Sequence, residues 1–531
     1  MTSGSGPDCG AVLSSAQAPS LARRLLRIAG RIAKLTAYTL LGIIGLLETL
    51  IAVGLIFSKP PDLHERWIAD YTAARNYIAR NYANLEWSIA EGRIDPHRLE
   101  LQTLSAIRAA RTDDEARRAL GNFVAAFADP HMGLLRPSSA RSWRRLLPSR
   151  KHPGRGTPAV LACRMLGYTD RDAEAQRNSS FDLERFEGTL FHRLEGAVTY
   201  PAGVITLDSG RFGLIRIPTF TYADHAKTCE KIWRQMTPKM QRHCDDACAA
   251  VIRNKVLGQL MDDFATEVSE LSSRGIQVLV VDVTGDSGGY GSLAATFART
   301  LTANPMPSES MALVRNNRTL GWLLHEETRV VEMLDSKGLR TEACDWLDEG
   351  RRRAVQAIDE FQSQPCDRVQ WFTQTSKPDC SLMTGDLFQD GFFSAIPTDF
   401  AIPSEMRKSL FDSRSSDADP ERIWGGPLIL LVDRYTNSSA ELFVQMLHDH
   451  AGAVVVGERT SGGGAGWLYD QDVFELPYSH LRLVAPELAR FLKDGRNARF
   501  GIEPDLCLDR NPDATRFSRA TTLLRALRRM S

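Results

Sequence analysis

Two adjacent serines stand between an apolar run and a helix-like segment in the stretch YTNSSAELF, residues 435–443. Ser438 and Ser439 therefore fall in the first turn of a predicted helix, where unpaired backbone amides stabilise a developing alkoxide or oxyanion. One use of such a hydroxyl is as a nucleophile. The other is as a helix N-cap, with Glu441 completing a capping box, and the motif by itself favours this second use.

A glycine-rich turn, VDVTGDSGGYG at 281–291, follows another apolar run. Glycines let the backbone amides of such a turn approach a ligand closely, because they carry no Cβ. The turn matches neither the P-loop pattern nor the dinucleotide-binding pattern, so phosphate binding is disfavoured. The remaining use is an oxyanion hole, which requires a nucleophile nearby.

A serine needs a base beside it to become a nucleophile. The sequence has eleven histidines, and the conspicuous one is His131 in FADPHMG, residues 127–133, at the turn that closes a helical region. A lone surface histidine is the default interpretation. Nothing local in the sequence connects His131 with Ser438.

The charge balance excludes one class of partner. Lys plus Arg and Asp plus Glu both total 65, so a formal net charge of zero gives no field that would steer the chain onto nucleic acid. The one zinc candidate is Cys244-x3-Cys248 with His243, and it lacks a second ligand pair at metal-finger spacing. We therefore predict no nucleic-acid partner, no metal and no other cofactor.

One stretch is apolar enough for a membrane. Residues 35–58 contain a single charge, Glu48, and exceed the roughly 20 residues that a helix needs to cross a bilayer core. Basic residues precede the stretch and mixed charges follow it, so the positive-inside rule places a basic tail, 1–34, in the cytoplasm. The alternative is a cleaved signal peptide ending near Gly54. We favour an uncleaved, single-pass anchor in the inner membrane, with the main part of the chain in the periplasm.

The predicted anchor separates the nine cysteines into two groups. Cys9 falls on the cytoplasmic side, which leaves an even number outside, as a disulfide-forming compartment favours. The eight exported cysteines are Cys163, Cys229, Cys244, Cys248, Cys344, Cys366, Cys380 and Cys507. Local pairs are expected within 229–248 and within 344–380, although spacing does not fix the connectivity.

The elements that must position these residues are predicted from apolar patterning. Apolar, β-branched runs at 212–217 and 276–283 flank a long helix-like stretch, and the same strand, helix, strand order recurs at 427–456. Strands this apolar are covered on both faces. We therefore predict an α/β core with mostly parallel pairing.

The chain is thus expected to contain several regions with different roles. After the tail and the anchor these are a helical cap domain (59–136), a linker or variable region (137–210), the first part of the core (211–303), a cysteine-containing insertion (304–425), the second part of the core (426–510) and a basic C-terminal helix (511–531). The insertion is too long for an ordinary connection. The terminal helix is expected to be solvated.

Five blocks of sequence occur in a characteristic order: FADPHMGLL (127–135), FGLIRIPTF (212–220), VVDVTGDSGG (280–289), NSSAELFVQMLHDHAGAVVVGERTSGG (437–463) and DGRNARFGIEPDLCL (494–508). This ordered set resembles the peptidase S41 family, the tail-specific or C-terminal processing proteases and their tricorn-core relatives. Five blocks in the right order are more specific than any single one. The resemblance implies a ClpP/crotonase-like α/β core with an N-terminal helical cap, here preceded by a single transmembrane helix, and cleavage of peptide bonds by a serine.

The resemblance also implies roles for individual residues. In the family pattern S-x-[SA]-E the nucleophile lies three residues before the glutamate, which selects Ser438 ahead of Ser439. The oxyanion donors are then the amides of Ser439 and of Gly288 or Gly289. Members with a Ser-Lys dyad carry the lysine after the GE-x-T-x-G block, where this chain has Gly463, so the dyad lysine is absent.

The tricorn-like branch uses a histidine at the end of the helical cap, in a motif similar to the one around His131, with a serine and a glutamate assisting. Pro130 occupies the position of the assisting serine, which is therefore missing. For the acidic partner, Glu503 in GIEPD is the first candidate and Asp129 the second. A structural role is the alternative for Glu503.

The resulting prediction is a membrane-anchored, extracytoplasmic serine endopeptidase that cleaves a peptide or protein substrate through an acyl-enzyme. The missing lysine, the missing assisting serine and the divergent Asp286-Ser287 pair in the glycine turn motivate an alternative. That alternative is a catalytically inactive relative that binds a peptide or another ligand. A membrane-anchored scaffold, whose insertion binds a partner, is the third. The sequence indicates neither the cleavage specificity nor the oligomeric state.

Overall fold

The structure is a computed structural model. It describes residues 62–137, 153–171, 179–237, 243–302, 306, 309–335, 341–363, 366–375, 379–385, 387–388, 423–467, 473–508 and 515–529. Residues 66–531 form one compact unit. The predicted tail (1–34) and membrane span (35–58) lie outside the described residues. Among the helices that the structure describes, none is both long and apolar enough to cross a bilayer.

Helices open the described chain, as the apolar spacing predicts. They are α1 (Leu63–Asn81), α2 (Leu85–Ala90), α3 (Pro96–Ala109) and α4 (Asp113–Ala125). The Thr112 hydroxyl caps α4 by accepting the Glu115 amide at 3.3 Å. The rings of Tyr71 and Phe123 meet edge-on at 4.9 Å in the core between the helices. After α4 the chain turns through His131 into the short strand β1 (Gly133–Leu135).

A sheet of seven described strands forms the centre of the core. In spatial order they are β14 (Leu506–Cys507), β9 (Val454–Gly457), β8 (Leu428–Val432), β5 (Val278–Asp282), β4 (Gly210–Arg216), β3 (Ala202–Leu207) and β2 (Phe191–Arg193). The first five run parallel, with Val281 opposite Leu430 and Leu430 opposite Val455, whereas β3 and β2 pair antiparallel. All residues of β8 are buried, as expected for a strand covered on both faces.

Helices cover both faces of this sheet. One face packs against α7 (Asp246–Ser273), α8 (Gly291–Thr300) and α12 (Ser439–Ala451). The other face packs against α13 (Arg516–Leu527), whose Leu523 and Leu524 lie in one cluster with Ile429 and Val456. The C-terminal helix is therefore not solvated, because its leucines recur at helical spacing and form one apolar face that the sheet buries.

The range 137–210, predicted as a linker or variable region, contributes to the core where it is described. It contains α5 (Ala159–Met165) as well as β2 and β3. Strand β3 forms an antiparallel hairpin with β4, with Leu207 opposite Gly210. The central sheet therefore begins before the predicted core boundary at 211.

Two smaller sheets complete the described strands. One has the order β10 (Ala465–Gly466), β13 (Leu488–Arg490), β6 (Ser310–Leu313) and β7 (Leu387–Phe388), and the other joins β1 to β12 (Arg482–Val484) and β11 (Phe474–Glu475). Strands β6 and β7 belong to the predicted insertion, 304–425. Its described part also holds α9 (Asn317–Leu334), α10 (Thr341–Ser363) and α11 (Gln370–Thr373). The insertion therefore shares a sheet with strands of the core.

Three disulfides form among the described cysteines. They are Cys163–Cys229, which joins α5 to α6 (Ala226–Met236), Cys244–Cys248 at the start of α7, and Cys366–Cys380. The second and third lie inside the windows predicted for local pairing, whereas Cys229 pairs outside its window. Cys344 and Cys507 are free, so the even number of cysteines after Cys9 does not mean that all of them pair.

Candidate active site

Ser438 occupies a sharp turn between β8 and α12, which we call the serine turn (433–439). Its φ is 56°, a left-handed value that is rare in a residue other than glycine. The buried Asp433 carboxylate holds the start of this turn by accepting the amides of Tyr435 and Thr436, each at 2.9 Å. A strained backbone that its surroundings hold in place is typical of a functional position.

Glu441, the residue expected to complete a capping box, links the serine turn to the loop at 460–463. Its buried carboxylate accepts the Ser438 amide at 3.0 Å, which agrees with that prediction. It also accepts the amides of Gly462 at 2.8 Å and Gly463 at 2.6 Å, and the Thr460 hydroxyl. Burial raises the pKa of Glu441, while the Thr460 hydroxyl and these amides lower it. The glutamate thus fixes the nucleophile candidate and the neighbouring loop together.

The glycine turn (281–291) lies directly against Ser438. A Cβ built on Gly288 would stand 2.7 Å from the Ser438 Cβ and 2.8 Å from the Ser439 amide nitrogen. A Cβ on Gly289 would stand 2.5 Å from the Phe220 carbonyl oxygen. Both glycines also have positive φ, 94° and 148°. The close approach and the backbone conformation therefore both require glycine at these two positions.

Two of the three predicted oxyanion donors are available. The amides of Gly289 and Ser439 have no acceptor among the described residues. The Gly288 amide, in contrast, donates to Asp286 Oδ1 at 2.7 Å. Unpaired amides beside a nucleophile can stabilise the negative charge that develops on a carbonyl oxygen during acyl transfer. The geometry therefore favours Gly289 over Gly288 as the partner of Ser439.

His131 lies in the turn that follows α4, which we call the histidine turn (126–132). Asp129 holds this turn, because its Oδ1 accepts the His131 backbone amide at 2.9 Å. Its other oxygen accepts the Tyr82 hydroxyl at 3.0 Å and the Asn84 side-chain amide at 3.2 Å. The carboxylate of Asp129, the second candidate for an acidic partner, is thus fixed within the helical region and contacts the backbone of His131.

The His131 ring is enclosed and suited to act as a base. It stands edge-on to Trp467 with 5.3 Å between the ring centroids, and its Nδ1 has no hydrogen-bond partner among the described residues. Burial lowers the pKa of His131, the negative charge of Asp129 raises it and the positive charge of Arg490 lowers it further. The net lowering favours a neutral imidazole, the form that accepts a proton.

Gly463, at the position where the resemblance would put a dyad lysine, leaves no room for a side chain beside His131. A Cβ at position 463 would stand 2.8 Å from the His131 Cε1 and 1.8 Å from the Asn437 Oδ1. His131 therefore borders the residue that precedes Ser438, and the two turns meet at this glycine. Any side chain at 463 would displace both groups.

Glu503, the first candidate for the acidic partner, is placed elsewhere. Its side chain is 64% exposed and forms a salt bridge with Arg459 at 3.2 Å, and no contact joins it to His131 or Ser438 among the described residues. The same sequence block contributes different contacts to the site. The Asn497 side-chain amide donates to Asn84 Oδ1 at 2.8 Å, and Arg499 donates to the Phe127 carbonyl at 3.2 Å. This block therefore docks the helical region that carries His131.

A cavity of about 280 Å³ opens beside the histidine turn. Val124, Ala128 and Met132 form its apolar part, and Asp129 and Ser461 form its polar part. It lies between the histidine turn and the loop at 460–463, through Asp129 and Ser461. Sequence patterns did not indicate this cavity, because its walls come from α4 and from a loop more than three hundred residues later.

Comparison with solved structures relates the fold to known proteins. The structure of mature CPAF complexed with lactacystin has a TM-score of 0.52 and 13% sequence identity, covering 88% of this chain and 98% of that chain. Mature CPAF gives the same TM-score and identity over 88% and 97%. The photosystem II D1 C-terminal processing protease has a TM-score of 0.32 and 12% identity over 85% and 94%.

The family model of peptidase family S41 matches residues 211–508, which is more than half of the chain. The matched range includes the glycine turn, the serine turn and the block at 494–508, all of which meet around Ser438 or dock the helical region. The chain therefore belongs to peptidase family S41.

Proposed function

We propose that this protein is a serine endopeptidase in which Ser438 is the nucleophile and His131 the general base. The observation that carries the proposal is the position of Ser438, at a strained turn with the unpaired amides of Gly289 and Ser439 beside it. The enclosed His131 ring, whose pKa burial lowers, supports the assignment of the base. Asp129 is the proposed acidic partner, in place of the exposed Glu503.

The proposed reaction follows the usual two steps of acyl transfer. His131 takes the proton of the Ser438 hydroxyl as the serine oxygen attacks the peptide carbonyl, and the amides of Gly289 and Ser439 hold the resulting oxyanion. The C–N bond then breaks, the leaving amine receives the proton from His131, and an acyl-enzyme remains. Water then attacks this ester while His131 takes a proton from it, the C–O bond to Ser438 breaks, and the serine oxygen receives that proton from His131 as the carboxylic acid product leaves. The proposed substrate is a peptide or an accessible segment of a protein.

Replacement of the nucleophile tests the proposal directly. Ser438→Ala should lower kcat/KM on an unfolded protein substrate by at least about 10⁴-fold, because the covalent step is lost. It should also abolish labelling by a fluorophosphonate. The matched control is Ser272→Ala at an exposed position of α7, which should keep activity and labelling. Wild-type turnover that persists in Ser438→Ala would reject Ser438 as the nucleophile, and a wild type without turnover would favour the inactive ligand-binding relative.

Lactacystin offers a second probe of the same residue. It forms a complex with mature CPAF, whose fold is similar to that of this chain. We propose that lactacystin binds at Ser438 and therefore protects wild-type protein from fluorophosphonate labelling. Labelling that is unchanged at saturating lactacystin would contradict this extension, although it would leave the Ser438→Ala result intact.

We also propose an extracytoplasmic location with an anchor at 35–58. The three disulfides support the location, because such bonds persist in oxidising compartments. The apolar sequence of 35–58 supports the anchor. The full chain should remain with membranes after alkaline washing, and deletion of 35–58 should release it. Full-length protein that alkaline washing removes would contradict the anchor.

A further inference from the structure

We propose that Asp286 is a positioning residue of the oxyanion hole, whose buried carboxyl group holds the Gly288 amide and so leaves the Gly289 amide as the donor for the substrate. The inference rests on the proposed peptidase function and deepens it. It assigns a role to an acid of the glycine turn that contacts no reacting atom.

Three of the four backbone N–H and C=O groups of Gly288 and Gly289 already have hydrogen-bond partners. The Gly288 carbonyl accepts the Phe220 amide at 3.2 Å and the Thr221 hydroxyl at 3.3 Å. The Gly289 carbonyl accepts the Ser439 hydroxyl at 2.8 Å. With the Gly288 amide held by Asp286, the Gly289 amide is the one dipole of these two glycines that has no partner within the described residues.

The planarity of the peptide unit fixes the direction of that free amide. The Gly288 carbonyl and the Gly289 N–H belong to one trans peptide unit, in which they point in opposite directions. Because the carbonyl is tied to Phe220 and Thr221, the N–H must point to the other side. The preceding peptide unit is tied by Asp286. Two consecutive glycines have wide backbone freedom, so these ties are what keep the donor in place.

The surroundings of Asp286 favour the protonated carboxyl group. The side chain is completely buried, and its Oδ2 has no hydrogen-bond partner among the described residues. Arg216, the cation that faces it, is already paired with Asp282 at 2.9 Å. Burial of a carboxylate without an ion pair is very costly, so the group stays neutral. Burial accordingly raises the pKa of Asp286 well above its ordinary value, against the lowering effects of the Gly288 amide, Arg216 and the Phe220 amide.

The charge of Asp286 should control the alkaline side of the pH profile. The ionisable groups that face it are Arg216 on β4, Asp224 in the turn after β4, and Tyr200 before β3. The positive charge of Arg216 lowers the pKa of Asp286, the negative charge of Asp224 raises it, and burial holds the pKa of Tyr200 well above its ordinary value. Rising pH therefore ionises Asp286 and places a negative charge beside the oxyanion, which lowers the rate.

Two substitutions separate the hydrogen bond from the charge. Asp286→Asn keeps an acceptor for the Gly288 amide and is neutral at every pH, whereas Asp286→Leu has no acceptor. We expect kcat/KM of Asp286→Leu to fall about 10²- to 10³-fold, the cost of losing one oxyanion donor, and that of Asp286→Asn to stay within about tenfold. The Asn variant should also lack the alkaline decline of the wild type. Thermal unfolding of each variant shows whether it folds.

Specific outcomes would overturn the inference. One is an alkaline decline that is identical in wild type and Asp286→Asn, and another is a folded Asn variant as inactive as the Leu variant. An infrared difference spectrum between the two proteins at neutral pH should contain the carbonyl band of a protonated carboxyl group, and its absence would also overturn the inference. This spectrum needs no turnover. Failure of the peptidase function would instead appear as the absence of any Ser438-dependent turnover.

Discussion

The serine turn (433–439) and the histidine turn (126–132) reach the site from different parts of the fold. The serine turn continues a central strand, and its Asp433 carboxylate also accepts the amide of Gly285 in the glycine turn at 3.0 Å. The histidine turn ends the helical region and is held by Asp129. The sheet thus positions the proposed nucleophile and the proposed oxyanion donors as one unit, whereas the position of the proposed base depends on how the helical region docks.

Both turns contain a residue other than glycine with a left-handed backbone, Ser438 at φ 56° and Ala128 at φ 49°. Different contacts oppose the backbone strain at these two residues. Around Ser438 it is opposed by the buried hydrogen bonds of Asp433 and Glu441. Around Ala128 it is opposed by the contacts of Asp129. The base should therefore be the part of the site that is easier to displace without unfolding the core.

The largest expected effect in this comparison comes from removal of the base. His131→Gln should lower kcat/KM about 10²- to 10⁴-fold, because the proposed acceptor of the serine proton is lost. The unfolding temperature should change little, since the ring nitrogen Nδ1 has no partner to lose. The control is His192→Gln at an exposed position of β2. Activity within twofold of wild type in His131→Gln would remove His131 from the mechanism.

A smaller effect is expected where the two turns meet. Gly463→Ala should push on Asn437 and His131 and lower kcat/KM about 10²-fold, because catalysis is sensitive to displacements near 1 Å. Gly466→Ala is the matched control, since its Cβ would meet Leu488 at an ordinary 3.8 Å. Equal activity of the two variants would mean that the contact at 463 does not set the geometry of the base. A crystal structure of Gly463→Ala should show the His131 ring displaced.

The smallest effect concerns Asp129, and it includes a shift of the pH profile in a defined direction. The negative charge of Asp129 raises the pKa of His131, so Asp129→Asn should lower that pKa further. The protonated, inactive form of His131 then appears only at lower pH, and the acidic side of the pH profile should move to lower pH. We expect a loss of about tenfold in kcat, because the imidazolium is less stabilised.

The exposed Asp114→Asn on α4 serves as the control for this shift. It removes a charge from the same helical region without touching the histidine turn. A shift of the acidic side in the opposite direction, or an equal shift in both variants, would show that Asp129 does not act on His131 through its charge.

The sequence predicted the elements that depend on local patterning. The strands at 212–217, 276–283 and 427–432 are apolar and β-branched, and they lie next to one another in the parallel part of the sheet, as expected. The family resemblance brought Ser438, the glycine turn and His131 into one hypothesis, which stays a prediction; Gly288 borders Ser438, and Gly463 borders His131 and Asn437.

Other features depend on contacts that spacing does not reveal. The Gly288 amide was a candidate donor, but its bond to Asp286 is set by the conformation of the glycine turn. Glu503 was chosen from its motif, GIEPD. That motif directly follows Asn497 and Arg499, which dock the helical region, whereas the Glu503 side chain forms a salt bridge with Arg459. Burial and long-range pairing decide these roles, and neither has a signature in a single stretch of sequence.

The four-stranded sheet joins the insertion (304–425) to the loop that borders His131. Its strand β6 pairs with β13, where Arg490 also donates its amide to the Gly464 carbonyl, one residue from the glycine that borders His131. The loop that carries Gly463 and Gly464 is therefore connected, through strand β13, to strand β6, which precedes it by more than one hundred residues. Deletion of 309–388 would leave one edge of β13 without its partner. The insertion therefore contributes a strand to the same sheet that holds the loop carrying Gly463 and Gly464.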